Sequence, residues 1–179
     1  LQINKTTAET TATNRFNDTE PTTSVFSLGD SSRSNGNTSD MIAYCFAEKQ
    51  GYSKFGKYVG NGAGSGPFIY LGFTPSLLII KRTDGVNDWV MHSFDQGTNS
   101  STGVGKGNDW NENDNCVRVN SSGQQDQYGR VDLLSNGFKV RSAGGASENA
   151  STGNYVYLAW AYNPFVTSPT KNSIPATAR

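Results

Sequence analysis

Histidine is almost missing from this chain. His92 is the only one, and there are only two cysteines, Cys45 and Cys116. No Cys-x-x-Cys spacing occurs, so the sequence offers no His/Cys cluster of the kind that holds zinc. Nucleophilic catalysis through histidine would have to run through "MHSFD" (91–95), where Ser93 and Asp95 stand close to His92. Neighbouring residues on a strand point to opposite faces, so that grouping is not a triad, and His92 is expected on the surface or half-buried. Cys45 lies in an apolar stretch and Cys116 follows a polar loop; both read as free thiols. Charge of either sign is also lacking in excess: fifteen Lys and Arg balance fifteen Asp and Glu. That balance argues against an electrostatic grip on nucleic acid or on anionic membranes. Long apolar runs are absent as well. "SLLII" and "YVYLAWAY" fall far short of the ~20 residues of a spanning helix, so no membrane insertion is expected.

Helix formers are scarce, whereas Asn, Ser, Thr and Gly are abundant, with twenty glycines. Turn formers together with β-branched and aromatic residues point to an all-β protein of an extracellular or virion-surface kind. Apolar alternation marks strands at "SVFSL" (24–28), "MIAYCFAE" (41–48), "YSKFGKYVG" (52–60) and "PFIYLGF" (67–73). "SLLIIKRT" (76–83) is the most apolar and reads as central. "DGVND" (84–88) is a hairpin turn leading into "WVMHSFD" (89–95). Residues 96–127 read as a long polar loop broken only by "CVRV". "GRVDLL" (129–134) and "FKVRS" (138–142) form another hairpin around Ser-Asn-Gly, and "YVYLAWAY" closes the series. No sustained helical period appears. The expectation is an antiparallel two-sheet β-sandwich, jelly-roll or lectin-like, with long polar loops.

Two of these strands look alike. Met41 set against Tyr155 brings Ile42 to Val156, Tyr44 to Leu158, Phe46 to Trp160 and Ala47 to Ala161. Each copy follows a strand and a long Asn/Ser/Gly loop. The simplest account is one full module preceded by the last strands of a similar one. The chain is accordingly divided into residues 1–50, a polar arm with a preceding or completing half-repeat; 51–165, the main sandwich module; and 166–179, an extension. The opening Leu1 without an apolar leader fits either processing or a piece of a longer array.

The ordered series "MIAYCFAEKQGYSKFGKYVGNG", "GPFIYLGFTPSLLIIKRTDGVNDW", "VDLLSNGFKVRSA" and "NYVYLAWAYNPF" resembles a repeated β-sandwich module of tailed phages, especially phages of marine bacteria and cyanobacteria. That module occurs in tail-fibre, tail-spike and other virion-surface proteins. The resemblance implies a non-enzymatic structural or binding role at the virion surface, with copies of the chain and other virion proteins as partners and a host surface glycan as a further one. It transfers no catalytic residue. The polar stretches 1–23 and 96–127 lie outside the shared motifs.

One loop carries candidate chemistry. "NDWNENDN" (108–115) places Asp109, Asn111, Asn113 and Asp114 as hard oxygen ligands at the alternation a calcium loop uses, though without its glycine and distal glutamate. A plain polar loop is the simpler reading, and no other cofactor is implied. Trp110 within it has three readings: stacking on a pyranose whose hydroxyls meet Asp109, Asn111 and Asn113, contact with a neighbouring subunit, or a plug over the sandwich edge. Trp89 and Trp160 read as core. "GNGAGSG" (60–66) lacks the Lys-Ser/Thr ending of a phosphate loop and is a turn. The remaining carboxylates sit mostly in turns and read as solvated. The alternatives to a virion structural role are a lectin-like carbohydrate-binding module and a self-assembling extracellular fibre subunit.

Overall fold

The turn chemistry and the apolar alternation translate into eight strands in a computed structural model that describes residues 1–11, 13–93, 113–123, 126–145, 147–162 and 164. They are β1 (Ser53–Val59), β2 (Phe68–Tyr70), β3 (Pro75–Arg82), β4 (Trp89–Ser93), β5 (Asn113–Arg118), β6 (Asp126–Leu134), β7 (Gly137–Val140) and β8 (Asn154–Ala161). All pairings are antiparallel, and the ladder runs β1-β8-β3-β4-β5-β6-β7-β2. The fold is all-β, in two antiparallel sheets joined through β5.

Asp-Gly turns β3 back into β4, with Ile80 opposite Val90 and Leu78 opposite His92. Ser-Asn turns β6 into β7, with Leu133 opposite Phe138. The two ends of the ladder lie face to face, because Phe138 of β7 meets aromatic rings of the other sheet. Its ring lies 5.4 Å from that of Tyr157 and 6.1 Å from that of Tyr58, edge-on to both, the geometry the ring quadrupoles favour. Leu78, Ile80, Val131, Val140 and Ala159 fill the same core.

β8 sits between β1 and β3 and alternates strictly. Tyr155, Tyr157, Ala159 and Ala161 are buried, while Val156, Leu158 and Trp160 turn half-buried to the other face. Trp160 is therefore not core as expected. It lies in register with Ser53 on one side and Leu77 on the other, and packs edge-on against Phe55 at 5.5 Å. Trp89 is buried, but it pairs with Lys81, on the face away from Ile80 and Val90. Its indole nitrogen donates to the Gln2 carbonyl at 2.9 Å.

The chain divides into two compact units: Leu1–Ala8 together with the chain from Ala47 onward, and Glu9–Phe46. The first eight residues, expected to share the fate of the arm, group with the strands. Asn87 N donates to Thr6 O at 2.9 Å, and the Lys81 ammonium reaches Arg82 O at 2.7 Å and Thr6 O at 3.3 Å.

The second unit departs most from the expected strands. "SVFSL" and "MIAYCFAE" form none; instead two short helices appear, α1 (Thr13–Phe16) and α2 (Ser32–Asn35), the latter capped by Ser31. Polar bonds stitch them together: Gly29 N to Arg15 O at 2.8 Å, Ser31 N to Asn14 O at 2.7 Å and the Asn35 amide to Gly29 O at 3.0 Å. No described residue between 9 and 46 is buried. The physical reason is pairing. β8 is a strand because β1 and β3 flank it, whereas its sequence counterpart at 41–48 enters no ladder among the described residues, and β propensity expresses fit to a sheet rather than an intrinsic backbone preference.

Candidate functional site

The loop singled out from sequence is only partly described. Asp109, Trp110 and Asn111 lie outside the described residues. Asn113 and Asp114 do not belong to a loop; they open β5, with Asn113 in register with Val131. Cys116, in the same strand, is buried, and Cys45 is exposed; both are free thiols.

His92 is not at the surface. Together with Glu148 it is fully buried, and its Nε2 stands 4.0 Å from Glu148 Oε1. β4 places His92 on the core face because it lies opposite Leu78; Ser93, next along the strand, turns the other way. Glu148 comes from the Gly/Ser-rich segment before β8. The Tyr58 hydroxyl donates to the Glu148 carbonyl at 2.7 Å, and the Tyr58 ring stacks on Tyr155 at 4.9 Å. Burial pushes the Tyr58 phenol well above its ordinary value, and the neighbouring Glu148 and then Tyr155 push it in the same direction.

Next to Glu148, the fully buried Asn149 acts as a hub. Its Oδ1 accepts from Asn61 N at 2.9 Å, and its amide donates towards Ala63 O at 2.8 Å, Ser142 O at 2.9 Å and Asn61 Oδ1 at 3.1 Å. The loop before β8 is thereby fastened to the turn after β1. This polar interior is sealed from solvent. Its hydrogen bonds organise the loops around it.

The accessible chemistry lies on β2. Phe68 and Tyr70, two residues apart and so on one face, are 47% and 61% exposed. The Lys54 ammonium sits 5.5 Å from the centre of the Tyr70 ring and donates to the Tyr70 carbonyl at 2.8 Å. Lys54 thus joins β1 to β2, the two ends of the ladder. The β1 edge is guarded similarly: Phe55 N donates to the Glu48 carboxylate at 3.0 Å, and the Ser53 hydroxyl donates to Ala47 O at 2.8 Å. Side-chain caps of this sort blunt a sheet edge.

Sequence reasoning missed Glu148, Asn149 and the Phe68/Tyr70 pair. The i, i+2 aromatics of "PFIYLGF" were a readable signal, since one face of that strand had to be either core or surface. Glu148 and Asn149 left no such trace, because a Glu-Asn pair in a Gly/Ser loop resembles any solvated turn.

The chain belongs to the family described as "Domain of unknown function (DUF7483)", whose model matches residues 1–164. The match runs through both compact units. No curated protein and no solved structure matches the chain.

Proposed function

We propose that this chain is a non-enzymatic structural module that assembles with copies of itself at the surface of a tailed-phage virion, in a tail fibre, a tail spike or a capsid decoration. The phage setting rests on the motif series quoted above. The observation that carries the assembling role is the Glu9–Phe46 unit. Its described residues include none that is buried, while Val25, Ile42, Tyr44 and Phe46 are 64%, 80%, 81% and 64% exposed. Apolar side chains left exposed in a unit with no buried residue among those described support a protein that completes its packing by association. The test is immunogold labelling of intact and disrupted phage particles. Label on intact particles is expected; label confined to disrupted particles, or absent from both, overturns the virion-surface reading.

A second reading, carbohydrate binding, is favoured by Phe68 and Tyr70. Two exposed aromatic rings with an ammonium beside them suit the apolar face and hydroxyls of a sugar. On a glycan array, Tyr70→Ala is expected to lose a signal that the parent chain gives. An unchanged signal, or none from the parent, removes this reading.

A further inference from the structure

The segment 41–48 poses a specific problem of pairing. It repeats the sequence pattern of β8, yet every residue from 41 to 50 is exposed. β8 is hydrogen-bonded to β1 on one side, so a strand of this composition is one that β1 is suited to flank. β1 also stands at the end of the ladder, and no strand among the described residues pairs with its outer edge beyond the single Lys49–Ser53 bridge. Lys57 and Val59 at that edge are exposed, Val59 at 56%.

The nearest candidate is the chain's own segment, since Lys49 and Ser53 already form a bridge. That hairpin stops after one pair, and two side chains stop it. The Glu48 carboxylate takes the Phe55 amide, the donor a continuing ladder would need, and the Ser53 hydroxyl takes the Ala47 carbonyl. The beginning of the β1 edge is thus capped from within, while no strand among the described residues pairs with the outer side of Gly56–Val59.

Charge points to the same pairing. β1 carries Lys54 and Lys57 and no acid; residues 41–46 carry no charge, with Asp40 just ahead of them. Two β1 edges would repel one another, whereas an uncharged strand with an acid at its start meets a lysine-bearing edge without repulsion. We infer that residues 41–46 of one copy add as a strand to the outer edge of β1 in a second copy, next to Gly56–Val59. Strand addition supplies backbone hydrogen bonds to both edges, and it covers Ile42 and Tyr44, which the single chain leaves in water. The contact is directional, donor segment to acceptor edge, so it closes as a two-fold pair or propagates along an array.

This inference deepens the assembling role proposed above and rests on it. Cys45 supplies the probe, because it lies in the donor segment and is exposed, whereas Cys116 is buried. A second cysteine is placed on the acceptor edge as Lys57→Cys or, separately, Val59→Cys, and the purified chains are oxidised under mild conditions. The expected product in at least one variant is a dimer of doubled mass on a non-reducing gel, lost when Cys45→Ser is added. An intrachain disulfide with unchanged mass would show that the segment closes on its own edge and would overturn the inference. In parallel, sedimentation velocity is run on the parent chain and on Tyr44→Asp. A fall of at least about tenfold in association is expected from placing a charge in the paired strand. Association that persists in Tyr44→Asp without a Cys45 cross-link overturns this edge while leaving self-assembly intact. A parent chain that stays monomeric at all concentrations removes both.

Discussion

Asn149 shows how much one buried side chain can organise. Its carboxamide serves Asn61, Ala63 and Ser142 at once, and each of those backbone groups would otherwise lack this bond. Removing one partner of a buried hydrogen bond costs more than the bond contributes net, because the other partner stays desolvated. Asn149→Ala is therefore expected to cost about 3 kcal/mol of stability, with a correspondingly lower thermal midpoint. Asn61→Ala, at an exposed position, should cost clearly less. Equal effects would show that the hub is not organised around Asn149. Tyr58, Tyr155 and Tyr157 give a second expectation. Burial is the leading cause that raises each phenol above 10.0. Below pH 10.0 these phenols are neutral in both folded and unfolded chains. Above it the unfolded chain ionises first and binds fewer protons, so they reduce stability as pH rises from 10.0 towards the raised values. Alkaline unfolding and the rise of tyrosinate absorbance should coincide, and tyrosinate appearing well before unfolding would contradict the burial. Lys81 acts in the opposite sense. Burial lowers its pKa from 10.5, partly offset by Asp88, so it adds stability as pH rises through the lowered value towards 10.5.

At the scale of elements, periodicity was readable where apolar residues recur along a strand, as in β1, β2, β3 and β8, and not in β5, whose Asn113–Asn115 opening is polar. β3 and β8 lie between other strands of the ladder, and their alternation or continuous apolar run marked their existence. Turn residues marked the β3–β4 and β6–β7 hairpins for the same local reason. Pairing that depends on the rest of the chain was not readable. "MIAYCFAE" has the composition of a strand and is none, because propensity cannot tell whether an edge is waiting. Trp160 looked like core because it is large, yet its place depends on which face β3 and β1 leave outward, and a single strand cannot state that. The close approach of β2 to β7 was invisible as well. A Cβ at Gly137 would meet the Ile69 carbonyl and stand 3.2 Å from Tyr70 Cα. Gly137→Ala is thus expected to push β2 outwards at a cost of about 1–3 kcal/mol. The check is hydrogen exchange at Leu71, whose amide donates to Asn136 O at 2.9 Å. Faster exchange there is the predicted result; an unchanged rate would mean that the turn absorbs the methyl group without moving β2.

The whole molecule combines a scaffold that satisfies itself with a unit that does not. The scaffold buries its aromatic core, seals His92 and Glu148 inside, and caps the beginning of its β1 edge with its own side chains. The Glu9–Phe46 unit is held by polar bonds and presents its apolar residues to water. The all-β character was legible from composition, since it is a sum over many residues. The candidate site was less so, for a physical reason: accessibility is a property of the folded surface. His92 looked accessible and is sealed, while Phe68 and Tyr70 looked like any strand residues and are an exposed pair on β2. Self-association is the central claim, and the most direct measurement is the mass distribution of the purified chain over a wide concentration range, by mass photometry joined to sedimentation velocity. The account predicts a multimer of the 19.3 kDa chain that grows with concentration and is weakened by Tyr44→Asp. A single species at the mass of one chain at every concentration would contradict it.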